Sequence, residues 1–229
     1  MVAKAKQHLG SGLYTVAEAA HYCRVSTAMM NRWLFGSKSG QSVLDPQFGS
    51  DERAVSFLDL VQTIAIREIR IVRAVPLPKF RQAIKLAKET FGLDHPFARR
   101  HCTYLFGDEL VIRPVQDGNE YVEASGKHPG QRLISFVEMY LEQLDFSPEG
   151  LASKYRIFTS KQPKPVAVTM DPHTRFGEPL LPSGYSALTI WNAIQAEGGI
   201  ERATKAYGIP IEETLAAYQF VDYLGKSTP

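Results

Sequence analysis

Cysteine is scarce in this chain. Only Cys23 and Cys102 occur among 229 residues, in unlike contexts, which excludes a four-thiolate zinc cage and a disulfide framework. No run of roughly 18 apolar residues is present, so the pattern of a membrane-spanning helix is missing. The opening MVAKAKQHLGSGLYTV lacks the apolar centre of a secretory signal, and the expected location is the cytoplasm. A strong excess of charge of one sign is missing too: 26 Lys and Arg stand against 24 Asp and Glu, for a net charge of +2 and a pI near 8.5. That balance is too mild to mark a nucleic-acid binder by itself. It is spread as +2 over residues 1–56, +2 over 57–130 and −2 over 131–229, which a solvated mixed-charge surface accounts for.

Catalytic signatures are equally thin. His8, His21, His95, His101, His128 and His173 are scattered without the i, i+4 pairing of a helical zinc site. No GxGxxG follows a strand pattern, and neither a Walker loop nor a GxSxG elbow occurs. Gly126-Lys127 lacks the upstream glycine of a phosphate loop. Asp171, His173 and Glu178 in DPHTRFGEP could be drawn as an acid-base or metal cluster, but Pro172, Gly177 and Pro179 interleave them and favour a shaped turn. The expectation is a non-enzymatic chain without metal or cofactor.

With 44% hydrophobic and 22% charged residues, and a mean hydropathy of −0.18, the chain is nevertheless rich enough in apolar side chains to bury a core. The pattern at the N-terminus is specific. Val16, Ala19, Ala20 and Cys23 fall at i, i+3, i+4 and i+7, on one helical face. Thr15 with Glu18 forms a capping box ahead of them. Ser26 is placed to cap a second helix of about nine residues, after Val25 plugs the turn. Met30, Trp33 and Leu34 face inward on that helix, leaving Ala28, Asn31, Arg32 and Phe35 outward. Residues 36–55, rich in Gly, Ser and Asp, read as a loop or a short wing hairpin.

From Phe57 a helix resumes with Phe57, Leu60, Val61 and Ile64 inward and Arg67, Arg70 and Arg73 sharing a broad face; Pro76 and Pro78 break it. A helix over about 79–91 follows, with Phe80, Ile84, Ala87 and Phe91 on its core stripe and Gly92 as its cap. Turn signals at Gly107-Asp108 and Asp117-Gly118 predict a small antiparallel meander over 104–123. Another helix is expected from Gln131, carrying Leu133, Phe136, Val137, Tyr140, Leu141 and Leu144 inward. A proline-spaced basic stretch at 148–166 reads as a linker. Three helices close the chain: one from about Thr189 to Gly198-Gly199, one over 200–207, and one over 211–224 after the turn Gly208-Ile209-Pro210.

The fold class expected is α+β, mainly α. Its regions are a winged helix-turn-helix in 1–56, a central helical region with the β-meander in 57–160, and a trihelical, helix-turn-helix-like module in 161–229. Such a pair of helices suits DNA because the major groove, about 12 Å wide, admits one helix with its side chains. Asn31 can pair with adenine and Arg32 with guanine, Ala28 lies on the same face, and Arg24, Ser26, Thr27 and Lys38 can reach phosphate.

These residues also carry a resemblance. YTVAEAAHYCRVSTAMMNRWL resembles the helix-turn-helix of MerR-like winged-helix regulators. VSFLDLVQ with the following PLPKFRQAI helix looks like the region behind it in VapB-type antitoxins, and the stretch from DPHTRFGEPLLPSGYSALTIW to VDYL is similar to the trihelical domain of unknown function 433. The resemblance implies an antitoxin of a type II toxin-antitoxin pair, whose partner is a PIN-domain, VapC-type ribonuclease and which represses its own operon by binding operator DNA. Arg24 stands where the turn usually has glycine, and Asn31 where MerR-like proteins commonly have arginine. For the toxin, the basic segment with Lys154, Arg156, Lys161 and Lys164, or Arg175 in the FG turn, is the expected contact, because carboxylates clustered around a magnesium ion attract cationic groups. A homodimer or a hetero-oligomer with the toxin is expected, since paired half-sites multiply weak contacts. The rival reading is a protein-interaction scaffold that touches no DNA.

Overall fold

The computed structural model describes residues 12–37, 40–49, 51–106, 109–114, 131–132, 140–161 and 164–225. The chain divides into two compact units, one of residues 14–152 and the other of residues 153–229 with the first 13 residues. Among the described residues there are seven α-helices and small antiparallel sheets, and no helix is long and apolar enough to cross a membrane.

The first unit opens with strand β1 (Tyr14–Thr15), helix α1 (Val16–Tyr22) and helix α2 (Thr27–Phe35). Strand β2 (Ala54–Val55) returns to pair with β1, Tyr14 opposite Val55 and Thr15 opposite Ala54. Helix α3 (Phe57–Arg73) begins at a buried capping box: the Ser56 hydroxyl accepts from the Asp59 amide at 3.1 Å, and Asp59 Oδ2 accepts from the Ser56 amide and hydroxyl at 3.2 and 2.7 Å. Phe57, Leu60, Val61 and Ile64 are buried as their spacing predicts, and Ala65, Ile66 and Ile69 join them. A helix apolar on most of its circumference belongs at the centre of its unit.

Helix α4 (Leu77–Phe91) starts two residues earlier than its pattern suggests, because Pro78 is tolerated in the first turn, where its missing N–H would have no helical partner. Gly92, left-handed at φ 64°, ends it as expected. Phe80 is fully buried and packs against Phe97, the rings tilted by 55° at a centroid distance of 6.0 Å, whereas Phe91 is exposed and Ile84 half-buried. The buried amide of Gln62 finds its partner 33 residues away, at His95 Nδ1, 3.1 Å distant. Strands β3 (His101–Phe106) and β4 (Glu109–Pro114) form the first hairpin of the expected meander, Phe106 opposite Glu109. The hairpin expected at Asp117-Gly118 lies outside the described residues. Gln131–Arg132, expected to start a helix, is strand β5, paired with β3. Tyr140 is buried with its hydroxyl donating to the Val61 carbonyl at 2.6 Å, and Leu144 is buried in strand β6 (Leu144–Phe146); Leu133, Phe136 and Val137 lie outside the described residues.

In the second unit, the stretch read as a linker is a hairpin of strands β7 (Ala152–Thr159) and β8 (Ala167–Met170), with a register shift between Arg156 and Phe158. Pro148 precedes β7 and Pro165 lies between the strands, where no ladder amide is demanded. Helices α5 (Ala187–Glu197), α6 (Ile200–Tyr207) and α7 (Ile211–Gly225) follow within two residues of their expected bounds. Gly198 and Gly208, both left-handed, end α5 and α6. Phe220, Ile190, Val168 and Met170 are fully buried, and Phe158 meets Phe220 and Tyr223 at 5.9 and 5.3 Å.

Candidate nucleic-acid interface

The α1–α2 pair is built by local rules. The Thr15 hydroxyl accepts from the Glu18 amide at 3.2 Å, while Glu18 Oε2 accepts from the Thr15 amide and hydroxyl at 2.8 and 2.7 Å. Helix α1 then ends in a reciprocal pair of bonds: Val25 N–H donates to the Ala20 carbonyl and Arg24 N–H to the His21 carbonyl, both at 3.0 Å. Those two bonds require a left-handed residue between them, and Arg24 supplies it at φ 53°. A left-handed L-residue costs roughly 1–2 kcal/mol. The position that sequence reading marked as the usual glycine is therefore strained in the way a glycine would avoid.

Helix α2 starts directly after. The Ser26 hydroxyl accepts from the Met29 amide at 3.1 Å, as expected of an N-cap. Met30, Trp33 and Leu34 are buried, Thr27, Ala28 and Arg32 are exposed, and Asn31 and Phe35 are half-buried. The Asn31 side-chain amide donates to the Thr27 carbonyl at 2.9 Å, one turn back on its own helix. Its second N–H and its carbonyl oxygen remain to serve a base. Arg24 is half-buried, Ser26 is exposed, and Lys38 lies outside the described residues.

What lies behind the pair was not legible. Arg67 of α3, placed by spacing on a face with Arg70 and Arg73, is 8% exposed, and its guanidinium donates to the Cys23 carbonyl at 3.0 Å. It also pairs with Glu68, while its Nε has no partner among the described residues. Burial pushes the Cys23 thiol well above its usual range, against the opposing pull of Arg67. Thr63 donates to the Asp59 carbonyl at 2.8 Å and touches Met30 Sδ at 3.8 Å; Arg70 lies 6.0 Å from the Trp33 ring. A polar seam thus fixes the turn and α2 from below.

The segment after α2 is held against the same frame. Val43 and Leu44 donate to the Trp33 carbonyl at 2.7 and 3.1 Å, and Arg81 of α4 donates to the carbonyls of Ser42 and Gln41 at 2.8 and 2.7 Å. Gly36 cannot carry a side chain, because a Cβ there would lie 2.9 Å from the Gly40 carbonyl oxygen.

The residues expected at a protein contact lie in the second unit. Lys154 and Arg156 are exposed on the same face of β7, two residues apart, and Lys161 and Lys164 are exposed between β7 and β8. Lys154 reaches Asp171 at 3.5 Å, and Arg175 reaches Glu178 at 3.7 Å and the Gly184 carbonyl at 3.2 Å. Asp171 accepts from the His173 amide at 2.9 Å in a local turn. Glu178 faces Arg175 instead, and no cluster of three or more metal-ligating groups occurs among the described residues. Sequence reading missed that Arg175 and Phe176 are both left-handed, at φ 47° and 56°; only Gly177 was a visible signal.

No family model matches the chain. Over 223 residues it is 23% identical to a Mycobacterium tuberculosis protein named "Putative antitoxin VapB45", an alignment covering 86% of this chain and 88% of that protein. Its fold is similar to the crystal structure of Rv2018 from Mycobacterium tuberculosis, with a TM-score of 0.63 at 19% identity, covering 92% of this chain and 99% of the other. The chain therefore shares its architecture with a solved mycobacterial protein and resembles, at a distance, a protein named as an antitoxin.

Proposed function

We propose that this chain is the antitoxin of a type II toxin-antitoxin pair, which binds operator DNA through α2 and neutralises a PIN-domain, VapC-type ribonuclease through its second unit. The observation that carries the DNA half is the capped turn at Arg24, which directs Met30, Trp33 and Leu34 inward and leaves Thr27, Ala28 and Arg32 at the surface. In this reading the pair is a helix-turn-helix with the segment 36–55 as its wing. Arg32 and Asn31 face base edges, Asn31 through the N–H and carbonyl oxygen that its bond to Thr27 leaves over. Arg24, Ser26, Thr27 and Lys38 hold phosphates. The distant likeness to a protein named as an antitoxin supports the same reading.

For the toxin, Lys154, Arg156, Lys161, Lys164 and Arg175 present exposed cations that suit a carboxylate-lined, magnesium-binding cleft. The three regions of this reading are 1–56 for DNA, 57–160 as the central helical and β-meander region, and 161–229 as the C-terminal module, in a homodimer or toxin complex in the cytoplasm. A mobility-shift assay on the DNA upstream of the gene, combined with co-purification of the adjacent gene's product, tests both halves. Binding unchanged in Asn31→Ala with Arg32→Ala removes the reading helix. A second reading, a scaffold without DNA affinity, is favoured by one observation, the exposed Met29 beside Ala28 on α2; absence of salt-dependent DNA binding selects it.

A further inference from the structure

Arg67 of α3 holds the turn before α2 through the Cys23 carbonyl, but the end of α2 is held from a different helix. The last carbonyls of a helix have no donor within it and must be satisfied from outside. On α2 the segment that follows supplies the donors. The Gly36 amide donates to the Arg32 carbonyl at 3.2 Å, and the Val43 and Leu44 amides converge on the Trp33 carbonyl at 2.7 and 3.1 Å. Between them Ser37 and Gly40 close a tight turn with reciprocal backbone bonds of 2.8 and 3.1 Å. Val43 and Leu44 are also buried, so side chains as well as backbone seat the segment.

That segment is in turn gripped by α4. Arg81 follows the fully buried Phe80, at the border of the helix's inner stripe, and is itself half-buried. Its Nε donates to the Ser42 carbonyl at 2.8 Å and its Nη2 to the Gln41 carbonyl at 2.7 Å. One edge of a planar guanidinium thus fixes two successive peptide units, which a lysine ammonium has no fork to do. The neighbouring cations of α4 differ. Lys85 lies 3.8 Å from Glu89, and Lys88 lies 3.3 and 3.1 Å from Asp45 and Asp94, all as exposed ion pairs of a kind that contributes little. Folding of the unit does not require the Arg81 bonds: Gln41 is exposed and Ser42 half-buried, so water can serve both carbonyls in place of the guanidinium. What the bonds do is complete a chain from Arg81 through residues 41–44 to the Trp33 carbonyl, beside Arg32.

We propose that Arg81 is a positioning residue for Arg32: by holding residues 41–44 on the Trp33 carbonyl, it keeps the last turn of α2 wound and the Arg32 side chain aimed at its base. This rests on the DNA reading of α2 and deepens it, because it brings α4, outside the region 1–56, into the machinery that reads the duplex.

The test is a double-mutant cycle on the full chain. Wild type, Arg81→Ala, Arg32→Ala and the double variant are titrated against the duplex upstream of the gene over a range of salt, with thermal melting of each. Arg81→Ala should melt close to wild type and bind about tenfold more weakly. Its salt slope should be unchanged, because the guanidinium is turned to carbonyls rather than to phosphate. In the Arg32→Ala background the same change should cost less than about twofold. Arg81→Lys, which keeps the charge and can reach one carbonyl, should restore part of the affinity. Hydrogen exchange gives a readout independent of DNA: the Val43 and Leu44 amides should exchange about tenfold faster in Arg81→Ala, with those of α3 unchanged. Equal losses in both backgrounds, a salt slope reduced by about 0.9, wild-type affinity in Arg81→Ala, or unchanged exchange at Val43 and Leu44 each overturns the positioning role and leaves the DNA reading standing. Absence of salt-dependent binding by the wild type overturns both.

Discussion

Arg67 is the residue through which the frame controls the candidate reading helix, and replacing it separates positioning from contact. Its guanidinium bonds the Cys23 carbonyl at the start of the Arg24 turn, from a site 8% exposed. Arg67→Ala removes the charge-assisted bond to Cys23, worth about 1.5–3 kcal/mol, leaves that carbonyl without its donor, and takes away the partner of Glu68. It also strips roughly two to three buried methylenes at about 0.8 kcal/mol each. Against this, the unpartnered Nε is no longer held away from water, which returns about 1–3 kcal/mol. The net expectation is a loss of about 2–4 kcal/mol, whereas Arg67→Met, which keeps the stem, should lose about 1 kcal/mol or less. Urea denaturation measures both. DNA affinity should fall in parallel with stability, but the slope of log affinity against log salt should stay at the wild-type value, because Arg67 is turned toward Cys23 rather than toward phosphate. A reduced slope, or an alanine variant as stable as wild type, refutes this reasoning.

Arg24→Gly relieves the left-handed strain of roughly 1–2 kcal/mol and gives back about 0.5–1 kcal/mol to the freedom of the unfolded glycine. Stability should therefore rise by up to about 1.5 kcal/mol in denaturant melts, while DNA affinity falls and its salt slope drops by about 0.9. Ser26→Ala should cost about 1 kcal/mol, read in the same melts, because the Met29 amide loses its cap. Burial raises the Asp59 carboxyl above its ordinary range, against the bonds from Ser56 and Gln47. A carboxyl raised on folding binds its proton more tightly in the native state, so its contribution is fully present below the unfolded value and is lost as pH rises through the folded one. Wild type should gain stability relative to Asp59→Asn as pH falls from 7 toward 4. A constant difference across that range removes the buried-carboxylate argument.

The elements that local rules determine were readable in advance. Thr15 with Glu18, Ser26, Gly92, Gly198 and Gly208 fixed helix ends because caps depend on residues a few positions apart. Helices α5 to α7 were legible for the same reason. The hairpin β7–β8 was not, because Pro165 among basic residues reads as a linker signal although it falls between the strands, where no ladder bond is lost. The burial of Arg67 was not legible, because a 3.6-residue period has no way to see a carbonyl 44 residues earlier that needs a donor. The exposed face of α2 was legible from Met30, Trp33 and Leu34. The bond from Asn31 to Thr27 was not, since a side chain's choice between its own helix and solvent leaves no periodic trace.

The most direct test of the account is the salt dependence of binding between the full chain and the duplex upstream of its gene, for wild type and for Asn31→Ala with Arg32→Ala. The account predicts a wild-type affinity that falls linearly in log–log form with salt, and a double variant weakened by about 2–6 kcal/mol on that duplex if both base contacts are bidentate. Binding to a scrambled duplex should be much less affected. Equal losses on both duplexes, or none on either, would contradict the claim that α2 reads bases.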